Sequence, residues 1–182
     1  MYTTSNKTHY TTLTVRILAG LSSLISFACF IYGQQAHETG LIDTADLGSP
    51  FVSPVLYCVE FAFVWSLVVI PIQLSSPYPL HPGIYVTFDL LAWVTVIPII
   101  IVFFLLMEPY FSDGGYSCRS PDVWPCDGKS AAITEQVGSA FALFSAVLHF
   151  GLFVWACRAT DKLRKSVRSD ERTSAKTSSV DA

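Results

Sequence analysis

Four residues that can carry or transfer a proton interrupt otherwise apolar segments of this 182-residue chain. They are Arg16, Glu60, Asp89 and His149, and Glu60 is the most isolated, within "YCVEFAFVW" at 57–65. A carboxylate close to a histidine is an arrangement that general acid–base catalysis and proton relays use. An ionisable group in a lipid-spanning segment is a functional-site candidate by default. These residues are therefore the first candidates for chemistry.

Counting positions along each apolar segment gives the depth of each candidate. Asp89 lies roughly 6 Å inside the third segment, and His149 lies roughly 12 Å before the end of the fourth. Arg16, near the start of the first segment, is level with Asp89, so we predict that the two pair. His149 lies between Asp89 and Glu60 in depth and is within reach of either carboxylate if the helix faces agree. Glu60 lies on the order of 12 Å from the opposite boundary. We predict that Glu60 is protonated, faces the bundle interior and hydrogen-bonds to another helix.

Two interpretations of this polar set are open. One is structural, and the other is a shared site of Glu60, Asp89 and His149 in a small intramembrane enzyme or proton-coupled carrier. These three residues lack the ligand spacing of a zinc site. The sequence contains no serine elbow, phosphate loop or deaminase signature. The structural interpretation is favoured, and we expect no catalytic residue, no cofactor and no metal.

The elements that must position these residues are apolar helices. The chain is 52% hydrophobic and 14% charged, whereas soluble domains carry about 25% charged residues. The sequence predicts an all-α integral membrane four-helix bundle over 13–157, between an N-terminal segment 1–12 and a C-terminal tail 158–182. Four stretches reach the roughly 20 residues that a bilayer core requires: about 13–33, 52–72, 85–107 and 133–157. The chain is not basic overall, so no nucleic-acid partner is expected.

The distribution of basic residues predicts the orientation. The N-terminal region holds Lys7 and Arg16 and the tail holds seven Lys and Arg residues, whereas the first two loops hold none. By the positive-inside rule, both chain ends are predicted to be cytosolic. The first helix is predicted to be uncleaved, in a plasma-membrane or secretory-pathway protein. Cys118 and Cys126 lie in the third loop, on the oxidising side, and a disulfide between them is predicted.

The tail is predicted to contact the cytosolic leaflet, where basic residues attract anionic lipids. The basic residues concerned are Arg158, Lys162, Arg164, Lys165 and Arg168. The segment "RATDKLRKSVR" is predicted to extend the fourth helix by a turn or two, and "SDERTSAKTSSVDA" is predicted to be disordered. Cys157, at the boundary, is a candidate palmitoylation site, with an inert interfacial thiol as the alternative.

Small residues mark one face of the first and fourth helices, where they permit close backbone approach. The first helix carries Ala19, Ser22, Ser26, Cys29 and Gly33. The fourth carries Gly138, Ala142, Ser145 and Ala146, with His149 on the same stripe. We predict a tight antiparallel pair, although the same faces suit self-association. The second and third helices are predicted to be bulkier and to face lipid more, since they carry Phe61, Phe63 and Trp65 and, on the third, Phe103 and Phe104.

The layout resembles that of MARVEL (membrane-associating) four-helix proteins, particularly the small fungal ones. The resemblance rests on "HPGIYVTFDLLAW" at 81–93 and "HFGLFVWACRATDK" at 149–162, beside the small-residue first helix, and covers roughly 13–165. Claudin-like proteins differ, since their characteristic cysteines lie in the first outer loop, where this chain has none. The resemblance implies a non-enzymatic protein that organises membrane domains, membrane apposition or vesicle traffic. The partners we expect are membrane lipids, a second copy of the chain or other membrane proteins.

Overall fold

The described residues of the chain form four long helices and two short strands. The computed structural model describes residues 6–38, 42–43, 48–75, 81–112, 117–118 and 128–178. Its helices and two short strands are α1 (Asn6–Glu38), β1 (Ile42–Asp43), α2 (Gly48–Ser75), α3 (Pro82–Ser112), β2 (Ser117–Cys118) and α4 (Gly128–Ser178). The predicted all-helical class is confirmed, and each helix is longer than the span predicted for it.

Each helix contains a stretch that is long and apolar enough to cross a membrane. The four stretches are Tyr10–Glu38, Val52–Ser75, Gly83–Glu108 and Lys129–Ser169. Their outward sides expose large apolar side chains such as Leu105, which is 72% exposed. Such a surface fits lipid, since a helix satisfies most of its backbone polar groups internally. The architecture is therefore that expected of a multi-pass membrane protein.

The helices form a ring in which α1 and α3 each contact both α2 and α4. At one end of this ring, β1 and β2 pair antiparallel, with Ile42 opposite Cys118 and Asp43 opposite Ser117. This end is called the β end here. The opposite end, where α1 begins and the tail of α4 leaves the bundle, is called the terminal end.

Helices α1 and α4 make the most extensive contact in the bundle, as the small-residue faces predict. A Cβ added to Gly138 would lie 2.8 Å from the Cys29 Cβ, so the backbones approach closely only because position 138 has no side chain. Ser26 Oγ donates a hydrogen bond to the Gly138 carbonyl over 2.8 Å. Ser23 and Ser145 hydroxyls lie 2.7 Å apart. The predicted tight antiparallel pair is confirmed.

Apolar packing fills the half of the bundle nearer the β end. This cluster includes Phe30, Val55, Val59, Val96, Ile100, Phe103 and Met107. The Phe30 and Phe103 rings meet edge to face with centroids 5.6 Å apart, an arrangement that the aromatic quadrupole favours. A smaller cluster of Trp65, Val69, Tyr85 and Ala156 lies towards the terminal end.

Helix α4 continues well beyond the predicted span and through most of the tail. It reaches Ser178 without interruption, so the segment expected to be disordered is helical over all its described residues. From Cys157 to Ser178 this extension measures about 30 Å at 1.5 Å per residue. Lys165 and Asp161, one turn apart, form a surface ion pair of 2.7 Å. This i, i+4 pair and the seven Lys and Arg residues of the extension favour helix over coil.

Candidate functional site

Asp89 on α3 is the centre of a buried ionic cluster. Its carboxylate accepts two hydrogen bonds from the Arg16 guanidinium on α1, at 3.2 Å to Oδ1 and 2.8 Å to Oδ2. Both side chains are almost completely inaccessible. This two-point geometry matches the planar fork of an arginine to the two oxygens of a carboxylate. The predicted pairing of Arg16 with Asp89 is present in the structure.

The other two helices each contribute one further group to Asp89. Trp65 Nε1 on α2 donates to Asp89 Oδ1 over 2.9 Å. His149 Nδ1 on α4 lies 3.2 Å from the same oxygen. Since an ionised carboxylate only accepts hydrogen bonds, Nδ1 is the donor in this contact. All four helices therefore meet at one carboxylate.

Aromatic rings enclose the cluster on the side of α2 and α3. The Arg16 guanidinium carbon lies 4.8 Å from the centroid of the Tyr85 ring, within the range of a cation–π contact. The Trp65 ring stacks on Phe88 with centroids 4.4 Å apart. These rings separate the ion pair from the outer surface and lower the local dielectric, which strengthens the attraction between Arg16 and Asp89.

Trp65 and Tyr85 were not predicted to belong to this site. The sequence suggested that Trp65 faces lipid, but the structure buries it to 8% exposure, with Tyr85 at 4%. Spacing along each helix could have identified both residues as buried: Trp65 follows Ala62 by three residues, and Tyr85 precedes Asp89 by four. Residues so spaced share a helix face. Locating Asp89 in the interior would therefore have placed Tyr85 there as well.

A second buried polar pair joins α1 to α4 nearer the β end. His37 Nε2 lies 2.9 Å from Glu135 Oε1, and both side chains are fully buried. Gly33 makes room for the pair, since a Cβ at that position would lie 2.6 Å from Glu135 Oε1. The sequence prediction missed this pair because it assigned His37 to the first loop. Extending α1 by a few residues places His37 one turn after Gly33, on the same face.

Serine hydroxyls line the α1–α4 interface between the two polar groups. Ser139 donates to the Glu135 carbonyl within α4, whereas Ser145 bonds across to α1, 3.3 Å from the Ala19 carbonyl and close to Ser23. From Glu135 to His149 is 14 residues, or about 21 Å along the helix. Hydrogen bonds between helices thus extend along much of this interface.

Glu60 is not part of either polar group, which corrects the prediction that it faces the interior. Its side chain is exposed on the outer surface of α2, and neighbouring Val59 points inward instead. Successive helical residues are rotated by about 100°, so only one of the two can face the core. The structure brings Asp89 and His149 together but leaves Glu60 on another face, so the three do not form a shared site.

The remaining predicted residues lie in the C-terminal half of α4 or in the segment that precedes α4. The five basic residues of the tail, Arg158, Lys162, Arg164, Lys165 and Arg168, are all exposed on α4. Cys157 is half-buried with a free thiol. Cys118 lies in β2, whereas Cys126 lies outside the described residues, and so does the predicted disulfide between them. Among the described residues, no three His, Cys, Asp or Glu side chains converge as metal ligands would.

Comparisons with protein-family models, with curated proteins and with solved structures found no match to this chain. The functional interpretation therefore rests on the geometry of the bundle itself.

Proposed function

We propose that this chain is a non-enzymatic multi-pass membrane protein that organises membrane domains, membrane apposition or vesicle traffic, as the MARVEL-like layout implies. The observation that carries the proposal is the saturated environment of Asp89. One carboxylate receives donors from three other helices, Arg16, Trp65 and His149. Its function is to hold the four helices in one arrangement.

A catalytic role for this cluster is less well supported. A general base needs a lone pair directed at substrate, but both Asp89 oxygens already accept hydrogen bonds from protein groups. The groove on α2 and α3 is lined by Tyr57, Cys58, Phe61, Leu91 and Thr95. None of these residues belongs to the Asp89 cluster. An enzyme or carrier would need a cavity that reaches Asp89 or His149.

The basic extension of α4 supports anionic lipid as a partner. Arg158, Lys162, Arg164, Lys165 and Arg168 project within an arc of about 160° when placed at 100° per residue. A juxtamembrane cluster of this kind gains about 1 kcal/mol per basic residue near an anionic surface. With the chain ends cytosolic, as the positive-inside rule predicts, this arc would lie beside the cytosolic leaflet.

The test is reconstitution of the full chain in giant vesicles that contain coexisting ordered and disordered phases and a fluorescent anionic lipid. We expect non-uniform distribution of the protein and local enrichment of the anionic lipid. Replacing the five basic residues of the tail with Gln should abolish the enrichment of anionic lipid and leave the bundle folded. Uniform distribution of both protein and lipid would contradict the proposal.

A neutral replacement of the ion pair separates this function from proton chemistry. In Arg16→Gln/Asp89→Asn both side chains keep hydrogen-bonding groups but lose their charges. We expect this double variant, where folded, to distribute in vesicles as the wild type does. Proton flux is measured with a pH dye in proteoliposomes of the wild type and of the double variant. Flux that is present in the wild type and lost in a folded, normally distributed double variant would favour a carrier instead.

A further inference from the structure

Glu60 presents a carboxyl group on the outer surface of α2 at a depth where lipid offers it no partner. It follows Val52, the first residue of the membrane-crossing stretch, by eight positions, or about 12 Å. Since the hydrocarbon core is about 30 Å thick, lipid headgroups do not reach this level. A polar side chain exposed there requires a protein partner or carries a desolvation cost.

The surface around Glu60 has the form of a helix-packing seam. Tyr57, Glu60, Val64 and Leu67 are all exposed and are spaced three, four and three residues apart, which is the spacing of the contact positions of a coiled coil. Tyr57 is 68% exposed and Leu67 is 52% exposed. The apolar exposed face of α3 has a similar period, but only the α2 seam carries an acid in the middle of its span.

A groove lies directly beside this seam, between α2 and α3. Its volume is about 260 Å³, and its lining includes Cys58, Phe61 and Leu91. Pockets for small ligands occupy about 300–1,000 Å³, so this one is small for a ligand and suits the side chains of a neighbouring helix. The seam therefore offers both projecting side chains and a recess to receive them.

We propose that this seam is a homodimer interface, in which α2 of one copy packs on α2 of a second copy. Two copies inserted in the same direction are related by a two-fold axis along the membrane normal, so equivalent residues lie at equal depth. Glu60 of one copy then meets Glu60 of the other. A carboxyl group that carries its proton both donates and accepts a hydrogen bond, so two carboxyl groups at equal depth can bond to each other once one of them is protonated.

A second copy of the chain provides such a bonding group at the same depth, whereas an exposed Lys or Arg there would have to come from a different protein. Arg16, the basic residue within the first span, is buried and paired with Asp89. Within the part of the chain that the structure describes, a copy therefore brings no exposed cation to the level of Glu60 but does bring the same acid. This interface goes beyond the proposed function, and its failure would leave that function in place.

The experiment measures Förster transfer between donor-labelled and acceptor-labelled full-length protein in liposomes over a range of protein-to-lipid ratios. We expect saturable transfer for the wild type and for Glu60→Gln, since an amide also donates and accepts. Glu60→Leu should weaken association about tenfold, equivalent to about 1.4 kcal/mol. Gln136→Leu removes an exposed polar group from α4 and should change nothing. Transfer that is absent, or unaffected by Glu60→Leu, overturns the proposal.

Cross-linking of chains that keep Glu60 locates the interface independently of how the Glu60→Leu variant folds. Val64 on the seam and Val94 on α3 are almost equally exposed, at 47% and 46%. In a background with the native cysteines replaced by Ala or Ser, Val64→Cys should cross-link between copies under oxidation, and Val94→Cys should not. Equal cross-linking at both positions overturns the proposal. Capture of a different membrane protein through Glu60, without self-association, also overturns it.

Discussion

Asp89 and Glu60 lie on neighbouring helices, and both are acids within apolar segments, yet their surroundings are opposite. Asp89 is fully buried and bonded to three other helices. Glu60 is exposed and forms no hydrogen bond with any described residue. The difference comes from helix phase, since Asp89 lies on the inward face of α3 and Glu60 on the outward face of α2. One acid thus organises the bundle, and the other is available between bundles.

The largest effect that this comparison predicts is the loss of Asp89. Asp89→Leu leaves the Arg16 guanidinium charged and unpaired in the interior, which should lower the free energy of unfolding by about 3–5 kcal/mol. Steric trapping in bicelles, at low protein-to-lipid ratio, measures this free energy of unfolding. Glu60→Leu under the same conditions should change it by about 0.5 kcal/mol or less, as for other surface positions. Equal losses at the two sites would remove the distinction between them.

Removing both members of the ion pair should restore part of the stability. Arg16→Met/Asp89→Leu eliminates the unpaired charge that each single variant leaves behind. The coupling energy from the double-mutant cycle should be about 0.5–3 kcal/mol, the range for residues in direct contact. Additive single losses would show that Arg16 and Asp89 do not depend on each other for stability.

The same contrast between inner and outer faces applies to two glycines of α4. Gly138→Ala forces a Cβ to within 2.8 Å of the Cys29 Cβ and should lower the free energy of unfolding by about 1–3 kcal/mol. Gly151→Ala is the matched control, since nothing lies within 4 Å of its added Cβ. It should be neutral or slightly stabilising, because Ala favours helix over Gly. The measurement is again steric trapping in bicelles.

The smallest predicted effect concerns the Trp65 donor. Trp65→Phe keeps an aromatic ring beside Phe88 but removes the hydrogen bond to Asp89 Oδ1. Hydrogen bonds between membrane helices contribute about 0.6 kcal/mol on average and at most about 1.7, so a loss in this range is expected. Trp93→Phe is the control, since that ring contacts Phe150 rather than Asp89. A loss well above 2 kcal/mol would indicate that packing of the indole dominates.

Much of the bundle follows from one-dimensional patterns in the sequence. Apolar runs determine the number of helices, and the small residues that include Ser26 and Gly138 identify the α1–α4 pair. Counting depth also placed Arg16 level with Asp89. These inferences succeed because they depend on position along a single axis, which the helical rise fixes.

Rotation about each helix axis is what the sequence left undetermined. Glu60 and Trp65 were assigned to the wrong faces because almost every residue around them is apolar, so no polar stripe distinguishes inside from outside. His37 was missed for a different reason, namely that the first helix extends beyond its apolar run to Glu38. Hydropathy detects the lipid-spanning part of a helix but not the turn that continues past it.

The pairing of the first helix with the last has a consequence for how the protein is made. The hydrogen bond between Ser23 and Ser145 joins residues 122 positions apart, so α1 leaves the ribosome long before its partner exists. During that interval Ser23 and Ser26 have no α4 to bond. We expect nascent chains arrested before α4 to be held by insertion machinery or degraded, and chains arrested after His149 has emerged to become protease-resistant. Biogenesis would then contain a waiting period that ends only with the final helix.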